Sequence, residues 1–335
     1  MFFNTRGLTA GVFLRLYRAV PPVRDAVNIT KFQGDVLKMN RTKKMLSVLL
    51  SLGLVAGLAG CSGSDAGSDA GAGDSDKPVL LAVSFGSSYN DTRDVTIGAV
   101  EAALQDTYTD YEVRRAFTSQ IVIDILEDRE GMEIDNVTEA MDRLVADGVK
   151  EIVVQPTHVM PGFEYDDVVA EVTEYRDQFD SIKIAQPLLS AEADFDALVG
   201  VLTAETAAYN TEGTAIVFMG HGTHHEANST YGTLQQKLVD AGFANYFIGT
   251  VEAAPALEDV MAMVEASGAQ KVVLLPLMIV AGDHANNDMA GDEEDSWKSA
   301  FIAAGYEVEC VLKGLGQYAG VQQILIDHAG AAMQQ

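Results

Sequence analysis

From residue 79 onward the chain alternates short apolar, β-branched runs with longer stretches whose apolar positions recur every three to four residues. Runs of this length, bounded by Gly or polar groups, read as strands buried on both faces. The amphipathic stretches between them read as helices, and together they predict a parallel sheet covered by helices. In the first half the expected strands are 79–85 (VLLAVSF), 112–116, 151–155 and 182–186, with helices near 91–106, 121–128, 137–147 and 165–178. The second half repeats the order with strands 215–219 (AIVFM), 246–251, 272–275 and 307–312, helices 229–241 and 255–266, and a closing helix 322–333.

The repetition extends to register. Placing Pro156 on Pro276 aligns Ile152-Val153-Val154 with Val272-Val273-Leu274 and Gly162 with Gly282, and sets Glu164 opposite His284. Ser84-Phe85-Gly86-Ser87 then lies opposite Gly220-His221-Gly222-Thr223. The expected fold class is therefore α/β with two similar lobes, 78–195 and 196–335, each a parallel sheet flanked by helices. Ligands of open α/β sheets bind beyond the carboxyl ends of the strands, so both lobes should present their strand-end loops to one cleft.

The segment before residue 78 has a different character. Asn40 to Lys44 is a basic run, residues 45–58 are an apolar stretch of 14, and Leu58-Ala59-Gly60-Cys61 follows. Such an apolar stretch is short for a membrane span and suits a signal peptide. The Leu-Ala-Gly-Cys sequence resembles the lipobox of bacterial lipoproteins, which implies cleavage before Cys61 and lipidation of its thiol. Residues 1–60 are expected to be an upstream extension and signal peptide, with Met39 a natural start. Residues 61–77, rich in Gly, Ser, Asp and Ala, are expected to be a flexible tether. The expected location is extracytoplasmic, lipid-anchored to the bacterial membrane at the periplasm or outer cell surface.

Charge and cysteine content narrow the chemistry. The net charge is -27. The first 60 residues hold 9 of the 22 basic and 2 of the 49 acidic residues, so the remainder carries 13 against 47, a net of -34. Such a field repels nucleic acid and concentrates cations. The two cysteines, Cys61 and Cys310, cannot form a thiolate cluster, so a bound metal must take His and carboxylate ligands.

Such groups stand at the strand ends. His221, flanked by Gly220 and Gly222, follows the strand at 215–219; Glu252 follows the next strand; His284 follows the strand at 272–275. Two imidazoles and a carboxylate suit Co, Fe, Ni or Zn and leave positions for exchange. The first lobe offers Phe85, Thr118 and Glu164 at equivalent places, of which Glu164 alone ionises. Ser87 and Tyr89 share the Phe85 loop, and Tyr89, Phe163 and Tyr165 can line a pocket for a flat ligand. Arg114 and Arg115 are candidates to neutralise ligand carboxylates. His224 and His225 share the His221 loop, and Asp283 is the expected partner of a histidine. His158 fits a hydrogen bond within its own loop, and His328 an exposed helix face. The chain has no G-x-S-x-G elbow, no phosphate loop with its Lys, no H-E-x-x-H and no dinucleotide fingerprint.

The segments LLAVSFGSSYNDTR (80–93), RAFTS (115–119), VVQPTHVMPGFEY (153–165), VFMGHGTHH (217–225) and PLMIVAGDHANNDMAGDEEDSW (276–297) resemble the anaerobic cobalt chelatases. This family of sirohydrochlorin cobaltochelatases is ATP-independent. The resemblance implies a bilobal chelatase fold and insertion of Co2+ into sirohydrochlorin or a related tetrapyrrole, a step of anaerobic cobalamin biosynthesis, with no nucleotide. It implies metal binding by His221, Glu252 and His284, and catalysis by His221, His284 and Glu164. Fe2+ or Ni2+ in place of Co2+, and self-association into a homo-oligomer, are left open by the residues. The alternative function on the same fold is a lipid-anchored carrier of metal or haem.

Overall fold

The structure is a computed structural model that describes residues 77–335; the basic run, the apolar stretch, Cys61 and nearly all of the expected tether lie outside the described residues. The first half contains β1 (Val79–Ser84), β2 (Glu112–Phe117), β3 (Glu151–Pro156) and β4 (Ser181–Ile184). Its helices are α1 (Ala99–Thr107), α2 (Gln120–Glu130), α3 (Val137–Ala146) and α4 (Phe163–Glu174). Helical turns at Asn90–Arg93 and Asp94–Gly98 lead into α1. The second half contains β5 (Thr214–Gly220), β6 (Tyr246–Thr250), β7 (Lys271–Pro276) and β8 (Glu307–Cys310). With it come α5 (Glu192–Glu205), α6 (Ser229–Asp240), α7 (Leu257–Ser267), α8 (Trp297–Ala303) and α9 (Ala319–Met333).

The strands form two parallel four-stranded sheets, ordered β2-β1-β3-β4 and β6-β5-β7-β8. The duplication visible in the sequence is thus a duplication of topology. In each sheet the first strand of the half is central: Leu81 sits between Arg114 and Val154, and Val217 between Phe247 and Leu274. Every residue of β1 and of β5 is buried. Strands covered on both faces carry no alternation, which is why VLLAVS and TAIVFMG read as continuous apolar runs.

Local signals set the helix ends. Asn136 caps α3 by accepting from Glu139 N at 2.9 Å while its own N–H donates to Glu139 Oε2 at 3.0 Å. Ser119 opens α2, and Gly131 closes it in the left-handed conformation. Two helices go beyond those the sequence pattern predicts. α8 is seven residues long, too short to show a period. α5 carries Val199-Gly200-Val201 at its centre, a weak helix sequence that is held by packing against α6 and α9.

One core cluster runs through both halves, joining Leu80, Ala82 and Leu104 to Ile216, Phe218 and Leu275. A second, of Val79, Leu81 and Val83 with Met141, Leu144 and Val172, fills the opposite face of the first sheet. The closing helix α9 returns to the first half, packing on α1, β3 and β4. There Tyr108 Oη donates to Ile326 O at 2.7 Å. His328, expected on an exposed face, is instead half enclosed: its Nε2 lies 3.1 Å from Asp194 and its Nδ1 3.2 Å from Gln186 O. The position between 195 and 196, where the sequence suggested one lobe passing into the next, falls inside α5.

Candidate metal and active site

Because all strands within a sheet run parallel, their carboxyl ends share one edge. In the second sheet the ladder runs on past the strands: Val251 N donates to Gly220 O at 3.0 Å and Glu252 N to His221 O at 2.9 Å. This backbone pairing sets Glu252 beside His221. Gly220 and Gly222 are required by space. A Cβ on Gly220 would lie 2.3 Å from the Tyr231 ring, and one on Gly222 would lie 2.8 Å from Ala253 N on a backbone with φ of +87°. Tyr231 Oη accepts from Gly222 N at 3.2 Å, and burial raises its phenol above the ordinary value.

His284 arrives from β7 on a short helical turn that continues through Ala285–Met289. One ligand atom from each of His221, Glu252 and His284 lies within 4.8 Å of the others. His221 Nε2 is 3.8 Å from Glu252 Oε1, and the imidazoles meet edge to face with centroids 4.7 Å apart. Donors around a tetrahedral divalent ion at about 2.0–2.1 Å stand about 3.3 Å apart, so small side-chain rotations close the set.

The tautomers follow from the partners. His221 Nδ1 lies 2.9 Å from Gly222 O, and a carbonyl only accepts, so Nδ1 carries the proton. His284 Nδ1 lies 2.6 Å from Asp288 Oδ2, again an acceptor. Both imidazoles therefore keep an Nε2 lone pair free for a metal. Asp288 takes the place expected of Asp283 because it stands four residues along the same helical turn. Asp283 instead accepts from Tyr89 Oη at 3.0 Å and from Asn287. Burial, followed by this hydrogen bond, raises the Tyr89 phenol above its ordinary value.

The first sheet faces this cluster. Tyr89 follows β1, so its bond to Asp283 joins the two sets of strand-end loops. On α4, Phe163 meets the His225 ring at 4.8 Å and Asp166 lies 3.4 Å from His225 Nε2. His225 Nδ1 accepts from Ala227 N at 3.1 Å, so both its nitrogens are engaged away from the His221–Glu252–His284 cluster. Glu164, between Phe163 and Asp166, has a half-exposed side chain 3.3 Å from Nε2 of His158. Phe85 is half exposed at the end of β1, whereas Ser87 is buried and accepts from Tyr89 N at 3.2 Å. Thr118 follows β2, with its Oγ1 buried and unpartnered.

Arg114 and Arg115 are spoken for elsewhere. Arg114 binds Glu112 at 2.8 Å and Asp147 at 2.5 Å, and Arg115 binds Glu101 at 2.7 Å and 2.5 Å. The cations at the β1 loop are Arg129, which donates to Ser88 O at 2.5 Å and to Asn90, and the buried Arg93, which donates to Asn90 at 3.1 Å. Nothing in the local sequence marks Arg129, since it reaches Ser88 across 41 residues.

Two parallel sheets of identical strand order, meeting at their strand-end loops over a His–Glu–His cluster, define a protein of the metal chelatase class. SirB from Bacillus subtilis, solved with Fe3+, has this fold, with a TM-score of 0.52 at 14% identity over 76% of this chain and 95% of that one. The family model for cobalt chelatase (CbiK) matches residues 78–334, and the chain belongs to that family. It is 37% identical to the sirohydrochlorin cobaltochelatase of Salmonella typhimurium over 258 residues, 77% of this chain and 97% of that protein. It is 34% identical to the sirohydrochlorin cobaltochelatase CbiKC of Nitratidesulfovibrio vulgaris over 259 residues, 77% of this chain and 90% of that protein.

Proposed function

We propose that the chain inserts Co2+ into sirohydrochlorin in the cleft between the two sets of strand-end loops, without a nucleotide. The observation that carries this reading is the convergence of His221, Glu252 and His284 from three strand ends, on a chain of the cobalt chelatase family. The metal is a substrate here, held by His221 Nε2, His284 Nε2 and the Glu252 carboxylate. These donors are partly exposed, so the ion can enter and leave. Fe2+ and Ni2+ suit the same donor set. The macrocycle lies against Phe85, Ser87, Tyr89 and Thr118 from the first sheet. Insertion exchanges one Co2+ for two pyrrole protons, and Glu164 on the opposite wall takes a proton from a ring nitrogen.

The test is an anaerobic absorbance assay of the protein with sirohydrochlorin and Co2+. Accelerated loss of the free-ring spectrum, abolished in His284→Ala and in His221→Ala while each variant keeps its thermal transition, is the expected result. A rate equal to the enzyme-free control, or full turnover in both variants, overturns the reading.

The same proposal places the enzyme outside the cytoplasm on a lipid anchor. The support is the basic run, the apolar stretch and the Leu-Ala-Gly-Cys sequence at 58–61. Labelling with a fatty-acid analogue should mark the protein and fail in Cys61→Ser, which should leave the membrane fraction. An unlabelled wild type excludes the anchor and leaves the chelatase assignment untouched.

A further inference from the structure

His158 is the most anomalous polar group among the described residues. It is 9% exposed, and neither Nδ1 nor Nε2 has a hydrogen-bond partner. A buried imidazole is costly unless it finds a partner, and the acceptor within reach is the Glu164 carboxylate, which sits off hydrogen-bond alignment. Its backbone is held on both sides: Thr157 N donates to Val83 O at 2.8 Å, and Leu188 N to His158 O at 2.9 Å. The backbone is therefore fixed just beyond β3, and the ring's Nε2 lies 3.3 Å from Glu164 Oε2.

Glu164 is the solvent-facing member of the pair. Its neighbours on the first turn of α4, Phe163 and Asp166, both touch His225 on the loop that carries His221. The Glu164 side chain is half exposed, while that of His158 is enclosed behind it. The other titratable groups around the pair are Asp166 on α4 and His225 facing it. Beyond the segment that holds the His158 carbonyl, Asp194 on α5 pairs with His328 on α9.

We propose that Glu164 and His158 form a two-site proton relay for metal insertion; this rests on the chelatase reading above. Insertion releases two protons, and one carboxylate can hold one. The first pyrrole N–H breaks as a Glu164 O–H forms, and that proton passes to Nε2 of neutral His158. Glu164, ionised again beside an imidazolium, then takes the second proton. The ring has lost two protons to Co2+, and the pair has gained two. Both leave to water through the exposed carboxyl after the product departs. His158 acts through Glu164 and is a positioning and relay residue rather than one that touches the ring.

The test is the pH dependence of kcat for Co2+ insertion by the full chain, in wild type, His158→Asn, His158→Gln, Glu164→Gln and the double variant H158N/E164Q. Co2+ titration and thermal melting run alongside on each. H158N is expected to lower kcat about 10- to 100-fold, with Co2+ affinity retained. It should also make the acid limb of the profile less steep, because one of two titrating acceptors is gone. The double variant should be no slower than E164Q alone, since the two act in series. A merely structural His158 would change the melting temperature and leave the limb's steepness as in wild type. Unchanged kcat in H158N, or losses that multiply in the double variant, overturns the relay. If H158N fails to melt cooperatively, H158Q, which keeps more of the volume, decides the matter on the same criteria. Wild type that binds Co2+ but never inserts it overturns the chelatase reading and the relay with it. Wild type that inserts normally beside unaffected His158 variants overturns the relay alone.

Discussion

Replacing Asp288 tests whether the cluster is tuned by what lies behind its candidate ligands. Asp288 Oδ2 accepts from His284 Nδ1 at 2.6 Å, short enough for a charge-assisted hydrogen bond. That bond holds the proton on Nδ1, keeps Nε2 free for metal, fixes the ring's rotation and raises the basicity of the ligand nitrogen. In Asp288→Ala all of these relax together. Removing such a partner typically weakens metal binding 10- to 100-fold. Here the His284 and Asp288 side chains are 33% and 44% exposed, so water replaces part of the lost interaction. The expected loss therefore sits near about 10-fold, or about 1.4 kcal/mol. Asp288→Asn keeps an oxygen acceptor and loses the charge, and should fall between wild type and the alanine variant. The assay is calorimetric titration with Co2+ at fixed pH and ionic strength, with melting curves as a control on folding. D288A within twofold of wild type would show that the bond does not tune the site. D288N as weak as D288A would show that charge near the ion, rather than tautomer control, is what matters.

Gly222→Ala should lower both stability and Co2+ affinity, because the added carbon meets Ala253 N at 2.8 Å on a backbone with φ of +87°; the strain is about 1–3 kcal/mol. Gly268→Ala, with φ of +75° and nothing within 4 Å, is the comparator: its melting temperature should fall while Co2+ titration stays as in wild type. Equal Co2+ affinity in both variants would refute the link between this glycine and the His221 loop. Asp194 gives a pH prediction. Burial pushes its carboxyl up, but the N–H groups of Ala191 and Ser190 and the His328 ring outweigh this and hold it below the ordinary value. A depressed carboxyl contributes stability that is present above its unfolded pKa of about 3.9 and is lost as pH falls through the lower folded value. Melting should therefore steepen with acid below about pH 4, and Asp194→Asn should flatten that dependence while lowering stability near neutrality. An acid limb identical in both proteins would show that Asp194 contributes nothing to it.

Much of the architecture is legible in the chain because it is written in short-range pattern. Buried parallel strands show as unbroken apolar runs, and the direction of the chain then puts every strand's carboxyl end at one edge. That argument alone places His221, Glu252 and His284 on neighbouring loops, and the register of Pro156 on Pro276 sets Glu164 at the position in the first half that corresponds to His284. A periodic pattern could not foresee α8, which is too short to repeat, or α5, whose Val-Gly-Val centre is helical through its contacts with α6 and α9. The partners behind the candidate ligands were hidden for a different reason. Asp288 rather than Asp283 backs His284 because the loop after β7 closes into a helical turn. Arg114 and Arg115 turn to Glu112, Asp147 and Glu101 because β2 presents their side chains there rather than to the cleft. His328 is drawn in because α9 crosses back to the first sheet. His158 stands out only once both its nitrogens are seen to be enclosed, with the Glu164 carboxylate beside one of them. The sequence by itself thus determined which groups stand at the strand ends, since direction and periodicity are local properties. What each group touches was decided by tertiary structure, since an enclosed side chain finds its partner through contacts spanning up to 218 residues that no window along the chain contains.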